Sequence, residues 1–301
     1  MTKYKMPAAL PRTQVPGVYH RQIGDILITA LSDGYADDGI QAVRNIDQAE
    51  ALAMFEREFR PARRASINCF LVRSMGRAAL IDVGCGRYFG ESAGQIHAAL
   101  AAAGVAAEEI DTILLTHVHP DHSGGLTDPT TGQRDFPNAR IVVHENELAH
   151  WFNDDEMDKA SPAERSAFFQ TAREQMEPYR QAFTPFDDTE EVFPGVRPVP
   201  LFGHTPGHCG YMISSQGQRL LVWGDIVHIP ELQIARPEVT LTFDCNQDEA
   251  AVTRREILDH AVLEGLLVAG AHIHFPGFAR VVATGVSFRL LPEPWCHTLI
   301  G

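Results

Sequence analysis

The run LLTHVHPDHSGGL, Leu114 to Leu126, places His117, His119, Asp121 and His122 within six residues, directly after an apolar stretch. Imidazole and carboxylate are the ligands that suit zinc and similar divalent ions. In an extended loop, alternate spacing puts His117 and His119 on one side, while Asp121 and the adjacent His122 face a second position. One turn is therefore equipped to serve two metals. A merely polar surface turn is the competing reading, and it does not explain four ligand-type side chains at the end of a buried strand.

Three later runs repeat the arrangement. LFGHTPGHCGY carries His204 and His208, LLVWGDIVH carries Asp225 and His228, and LVAGAHIHFPGF carries His272 and His274. Taken singly, each reads as an ordinary core or surface histidine. Their recurrence at successive strand ends points to one converging site. No GxSxG elbow is present, so a serine nucleophile is not part of the expectation.

The elements that must position these residues follow from periodicity. VYHRQIGDILITALSDG predicts two strands turning at Gly24-Asp25, and SINCFLVRS with RAALIDVGCG predicts a hairpin turning at Met75-Gly76. ALAMFEREF and GQIHAALAAAGV predict helices, the second ended by Gly104. IDTILLTH, ARIVVH, RLLVWGD, GLLVAGAH and FARVVATG predict strands, and QDEAAVTRREILDHAV an amphipathic helix. Between Glu145 and Phe186 the pattern is helical and aromatic, with Trp151, Phe152, Phe168, Phe169, Phe183 and Phe186. No repeat or Gly/Ser linker divides the chain. The expectation is an N-terminal arm over 1–17 and one α/β unit over 18–301, with loops at strand ends carrying the chemistry.

Composition narrows the partners. The chain of 301 residues has a formal charge of −14 and no basic stripe, so nucleic acid and anionic membranes are not expected partners. No segment has signal-peptide or membrane-span character. The five cysteines are scattered without a CxxC pair, as in a reduced, cytoplasmic protein.

The order His-x-His-x-Asp-His, GHTPGH, WGD, GAH resembles the metallo-β-lactamase superfamily over about 67–290. LVWGDIVHIPELQ, FDCNQDEAAVTRR and AGAHIHFPGFARV are most similar to its methyl parathion hydrolase branch, which includes lactonases and arylesterases. The resemblance implies a four-layer αβ/βα sandwich with two divalent ions, zinc first and Mn, Co or Fe as alternatives. It implies His117, His119 and His204 on one ion, Asp121, His122 and His272 on the other, and Asp225 bridging them. It further implies a metal-bridging hydroxide that cleaves a small neutral ester, lactone or aryl phosphotriester. Asp121, Asp225 and His228 are the candidate catalytic residues. His228 stands where many lactonases of this superfamily have tyrosine, and it is expected to shape the pocket or bond the substrate. Asp82, in DVGCG, is read either as orienting a ligand histidine or as capping its own turn. His208 is expected to support the site, His144 to pack, and His274 to line the pocket or face solvent. The aromatic segment at about 145–186 is expected to cover the metals, and the arm to help form a homodimer. The alternatives are an acyl-homoserine lactone lactonase, a glyoxalase II type thioesterase and, from another class, a metal-retaining sensor without turnover.

Overall fold

A computed structural model of the chain describes residues 10–60, 63–187 and 189–299. Of the expected arm, residues 1–9 lie outside those described, and residues 10–16 are exposed and form neither helix nor strand.

Two sheets carry the fold. The first is ordered Val18–Ile23, Ile26–Asp38, Arg63–Ser74, Arg77–Ile81, Thr112–Leu114, Arg140–His144, Phe183–Phe186; the second Ser287–Pro292, Phe278–Thr284, Leu267–Ala269, Gln218–Val222, Cys209–Ser215, Val196–Pro200. Their facing surfaces share one apolar core. Ile28, Phe70 and Ile81 from the first sheet meet Tyr211, Leu220 and Val222 from the second. On the outer face of the first sheet, Leu71, Leu80 and Ile113 pack beneath the helix Ile96–Ala102 and the aromatic helical segment. On the outer face of the second, Leu221 and Val268 pack beneath the helix Gln247–Leu263 through Ile257, Leu258 and Ala261. The result is the expected four-layer αβ/βα sandwich. Strands buried on both faces read as continuous apolar runs, which is why TILL, RLLV and LLVA stood out in the sequence.

Both hairpins turn where the sequence placed them, with Gly24, Met75 and Gly76 at positive φ. The strands Val196–Pro200, Cys209–Ser215 and Ser287–Pro292 had no clear sequence signature. The segment after Glu145 is helical only as far as Ala182; Phe183–Phe186 is an edge strand parallel to Arg140–His144. Pro185 blocks a helix there, and an edge strand tolerates a proline.

Arg77–Ile81 and Thr112–Leu114 run parallel, as do Gln218–Val222 and Leu267–Ala269. Their carboxyl ends deliver Asp82, the turn from His117 to His122, Asp225 with His228, and His272 to the same rim of the sandwich. Ligand loops collect at such ends in α/β sheets.

Candidate metal centre

Tight packing fixes the histidine turn. A Cβ on Gly124 would stand 2.2 Å from Pro120 O and 2.6 Å from Cys85 O, and one on Gly125 would stand 2.2 Å from Val83 O. Only glycines let the DVGCG loop lie directly beneath, with Val83 N–H donating to His122 O at 2.9 Å.

Three ring nitrogens meet in the first group. His117 Nε2 and His119 Nδ1 are 3.0 Å apart, and His204 Nε2 lies 3.2 Å from the first and 3.0 Å from the second. The second group is Asp121, His122, Asp225 and His272. Asp225 sits between them: Oδ1 is 3.1 Å from His122 Nε2, and Oδ2 is 3.1 Å from His272 Nε2, 3.6 Å from His204 Nε2 and 3.7 Å from His117 Nε2. All these side chains are buried except that of Asp121, which is 21% exposed.

The tautomers test whether the residues fit metal ions. His204 Nδ1 lies 2.8 Å from Asp244 Oδ1, His122 Nδ1 lies 2.8 Å from Asp82 Oδ2, and His272 Nδ1 lies 2.7 Å from the Ser66 carbonyl. Each partner only accepts, so each Nδ1 carries a proton. Thr116 Oγ1 donates to Asp82 Oδ2, which leaves it to accept from His117 Nδ1 at 3.0 Å. The inner nitrogens of the neutral rings are therefore bare lone pairs aimed at one another and at carboxylates. His122 Nε2 and Asp225 Oδ1 have no hydrogen-bond partner. Buried lone pairs do not converge this way unless cations lie between them, so the donor set fits a dinuclear metal centre. The charges agree. Burial lowers the His272 ring, but Asp225 and Asp121 outweigh it and hold it up at about 10. His122 is likewise raised, against burial, by Asp225, Asp121 and Asp82. In the second group, protons stand where cations would. His117 and His119 are driven down by burial, and His204 is pushed down to about 3, leaving them neutral as ligands must be.

The supporting residues are in part those the sequence suggested. Asp82 does orient His122, and it also accepts from Thr116 N–H at 2.8 Å. His208 lies outside both groups: its Nδ1–H donates to Leu201 O at 2.7 Å, and its Nε2 accepts from Asp225 N–H at 2.9 Å. His144 caps the helix Glu145–Trp151, and His274 Nε2 lies 2.7 Å from Glu231 Oε1. His228 joins the centre, with Nε2 2.8 Å from Asp225 Oδ2.

Sequence reasoning missed four supports. Asp244 orients His204 and accepts from Leu241 N–H. Glu147 accepts from Val118 N–H, Gly207 N–H and Trp151 Nε1–H, each at 2.8 Å, and so ties both histidine loops together. Asn68 Nδ2–H donates to Gly270 O and Ile273 O around His272. Arg254 donates to the carbonyls of Ile226, Pro237 and Val239. Glu147 did leave a signal, a carboxylate four residues before Trp151 on the apolar helix face.

A cavity of about 870 Å³ opens on Asp121, walled by Pro120, Tyr88, Phe89, Met157 and Phe168. The aromatic segment is expected to supply some of the wall from its six aromatics, and of these Phe168 lines the cavity, its ring 4.8 Å from that of His119. Trp151 and Phe169 belong to the core, Phe152 and Phe183 pack on each other, and Phe186 packs on His144. Phe168 and Phe169 lie on a π-helical stretch, Arg165–Gln170, a widened turn of the kind found at functional sites.

The metallo-beta-lactamase superfamily profile matches residues 62–272, which takes in every residue of both groups. The chain belongs to the metallo-beta-lactamase superfamily. Among solved structures, this superfamily member is similar to the hydrolase AbOPH, at 30% identity over 94% of this chain and 100% of the other, with a TM-score of 0.88. AidC, a dizinc quorum-quenching lactonase solved with its product N-hexanoyl-L-homoserine, has 24% identity over 94% of this chain and 99% of its own, TM-score 0.88. A probable metal-dependent hydrolase from Staphylococcus aureus has 22% identity over 93% and 100%, TM-score 0.75. No curated protein matches the chain. No helix among the described residues is long and apolar enough to cross a membrane.

Proposed function

We propose that this metal-dependent hydrolase cleaves a small neutral ester, lactone or aryl phosphotriester, in the manner of the methyl parathion hydrolase and lactonase-arylesterase branch. The observation that carries the reading is the convergence of buried ring nitrogens on Asp225, with Asp121 of the same cluster opening on a largely apolar cavity. His117, His119 and His204 would hold one divalent ion, Asp121, His122 and His272 the other, with Asp225 shared, in a single unit over 18–301. Zinc suits this mixture of imidazole and carboxylate, and Mn, Co or Fe are alternatives. When bound, such a pair supplies Lewis-acid polarisation and brings the pKa of water from 15.7 to about 7. The chain's own residues do the rest. Phe89, Met157 and Phe168 take the apolar part of the substrate and exclude water. Asp82 and Asp244 hold the His122 and His204 rings on target. Asp121 lines the cavity while its Oδ2 lies 3.4 Å from His272 Nε2, so its carboxylate stands between the donor group and the substrate space.

The leaving group sets the preference. No tyrosine hydroxyl stands three residues after Asp225, and a phenolate of pKa about 10 departs without the acid that an alkoxide requires. Activity is expected to favour aryl esters, aryl-fused lactones and aryl phosphotriesters. AidC supports the second reading, an acyl-homoserine lactone lactonase. The test is a panel of these classes on metal-loaded protein. Higher kcat/KM on an unactivated acyl-homoserine lactone than on an aryl ester of similar size selects the second reading; two bound metals without turnover select a sensor. The free cysteines fit a reduced, cytoplasmic setting, and a homodimer is the proposed assembly, checked by light scattering.

A further inference from the structure

Resting on the dinuclear reading, we infer that His228 is an additional metal ligand, joining His204 and Asp225 on the ion held by His117 and His119. His228 differs from its neighbours in one respect. The rings of His117, His122, His204, His208 and His272 each have a hydrogen-bonded Nδ1, whereas neither nitrogen of His228 has a partner, although the side chain is only 3% exposed. Two buried, unsatisfied nitrogens on one ring are costly, and native interiors rarely keep them without a partner.

The position of the ring says which partner is missing. One ligand atom from each of His204, Asp225 and His228 lies within 4.8 Å of the other two. Nε2 is 2.8 Å from Asp225 Oδ2 without the alignment of a hydrogen bond, so the carboxylate does not satisfy it. The ring is held there from all sides. It stacks on His272 at 5.3 Å, tilts against His204 at 4.5 Å and meets Phe243 at 5.4 Å. Its main chain is fixed as well, because Gln233 Oε1 accepts from both His228 N–H and Ile229 N–H, and Gln233 Nε2–H donates to Val239 O. A side chain set this rigidly beside two ligands is pre-organised for coordination.

The two ions would then be unlike. One would have four imidazoles and a shared carboxylate, the other two imidazoles, a carboxylate and the shared one. Imidazole-rich surroundings suit zinc or iron, and carboxylate-rich surroundings suit manganese.

The experiment uses the full chain loaded with Co(II). Each ligand imidazole contributes one exchangeable N–H shifted by the paramagnetic ion in proton NMR. The wild type is expected to show six such signals, and His228→Phe and His228→Gln five. Zinc affinity, read by chelator competition, is expected to fall at least about tenfold at one of the two sites in both variants. The metal-free unfolding midpoints of both variants check that they fold, and the wild-type count stands without them. Five signals in the wild type, or unchanged zinc affinity in a folded variant, overturn the inference; a change confined to KM would make His228 a substrate contact instead. Failure of the wild type to bind cobalt at all would overturn the dinuclear reading itself, a separate result.

Discussion

Replacing Asp82 with asparagine tests the orientation of the metal centre by moving a single proton. Asp82 has φ of 58°, a left-handed conformation that asparagine tolerates, so the backbone is not strained by the change. Oδ1 would still accept from Thr116 N–H. At the Oδ2 position, however, an amide NH2 would face His122 Nδ1–H, donor against donor, where a carboxylate oxygen now lies at 2.8 Å. His122 can relieve this only by moving its proton to Nε2, the nitrogen 3.1 Å from Asp225 Oδ1, and a protonated Nε2 cannot ligate a metal. Turning the amide over restores the His122 bond but sets NH2 against Thr116 N–H, leaving a buried donor unsatisfied at about 1–3 kcal/mol. Either route costs about 10- to 100-fold in metal affinity, the usual loss when the partner of a ligand histidine is removed. At about 1.4 kcal/mol per tenfold, this is about 1.4–2.8 kcal/mol. Chelator competition with zinc should show one weakened ion and one retained. Asp244→Asn should weaken the other ion, because it acts on His204 by the same logic. Unchanged affinities in Asp82→Asn, or both variants weakening the same ion, would refute the reasoning.

Adjacent phenylalanines should behave differently. Phe168→Ala should change KM and substrate preference with little loss of stability, whereas Phe169→Ala, in the core, should lose about 3–5 kcal/mol in urea unfolding. Arg254→Met should leave the carbonyls of Ile226, Pro237 and Val239 without their donor, lowering unfolding free energy by roughly 3 kcal/mol or more; a loss below about 1 kcal/mol would mean these carbonyls find other partners. A thiol reagent should label Cys245 and Cys296 in the native protein and reach the buried Cys69, Cys85 and Cys209 only on unfolding; native labelling of any of the three would show an opening at that position.

Much of the candidate centre was legible in the sequence because the side chains that converge there are local to strand ends. Continuous apolar runs mark strands buried on both faces, and the residues just past them, His117 to His122, Asp225 and His272, are forced onto one rim by parallel pairing. Spacing alone also placed the two hairpin turns, where glycine or a positive φ leaves little choice. What tertiary structure decided is everything that depends on partners distant in the chain. Asp244 reaches His204 across 40 positions, and Glu147 reaches Gly207 across 60. Trp151 and Phe169 look the same as Phe168 in sequence, yet they lie in the core while the π-helical turn puts Phe168 on the cavity wall. Residue type and periodicity report what a side chain wants to do locally. Which of two neighbouring aromatics is buried, and which carboxylate faces which imidazole, is fixed only when the sheets and helices pack.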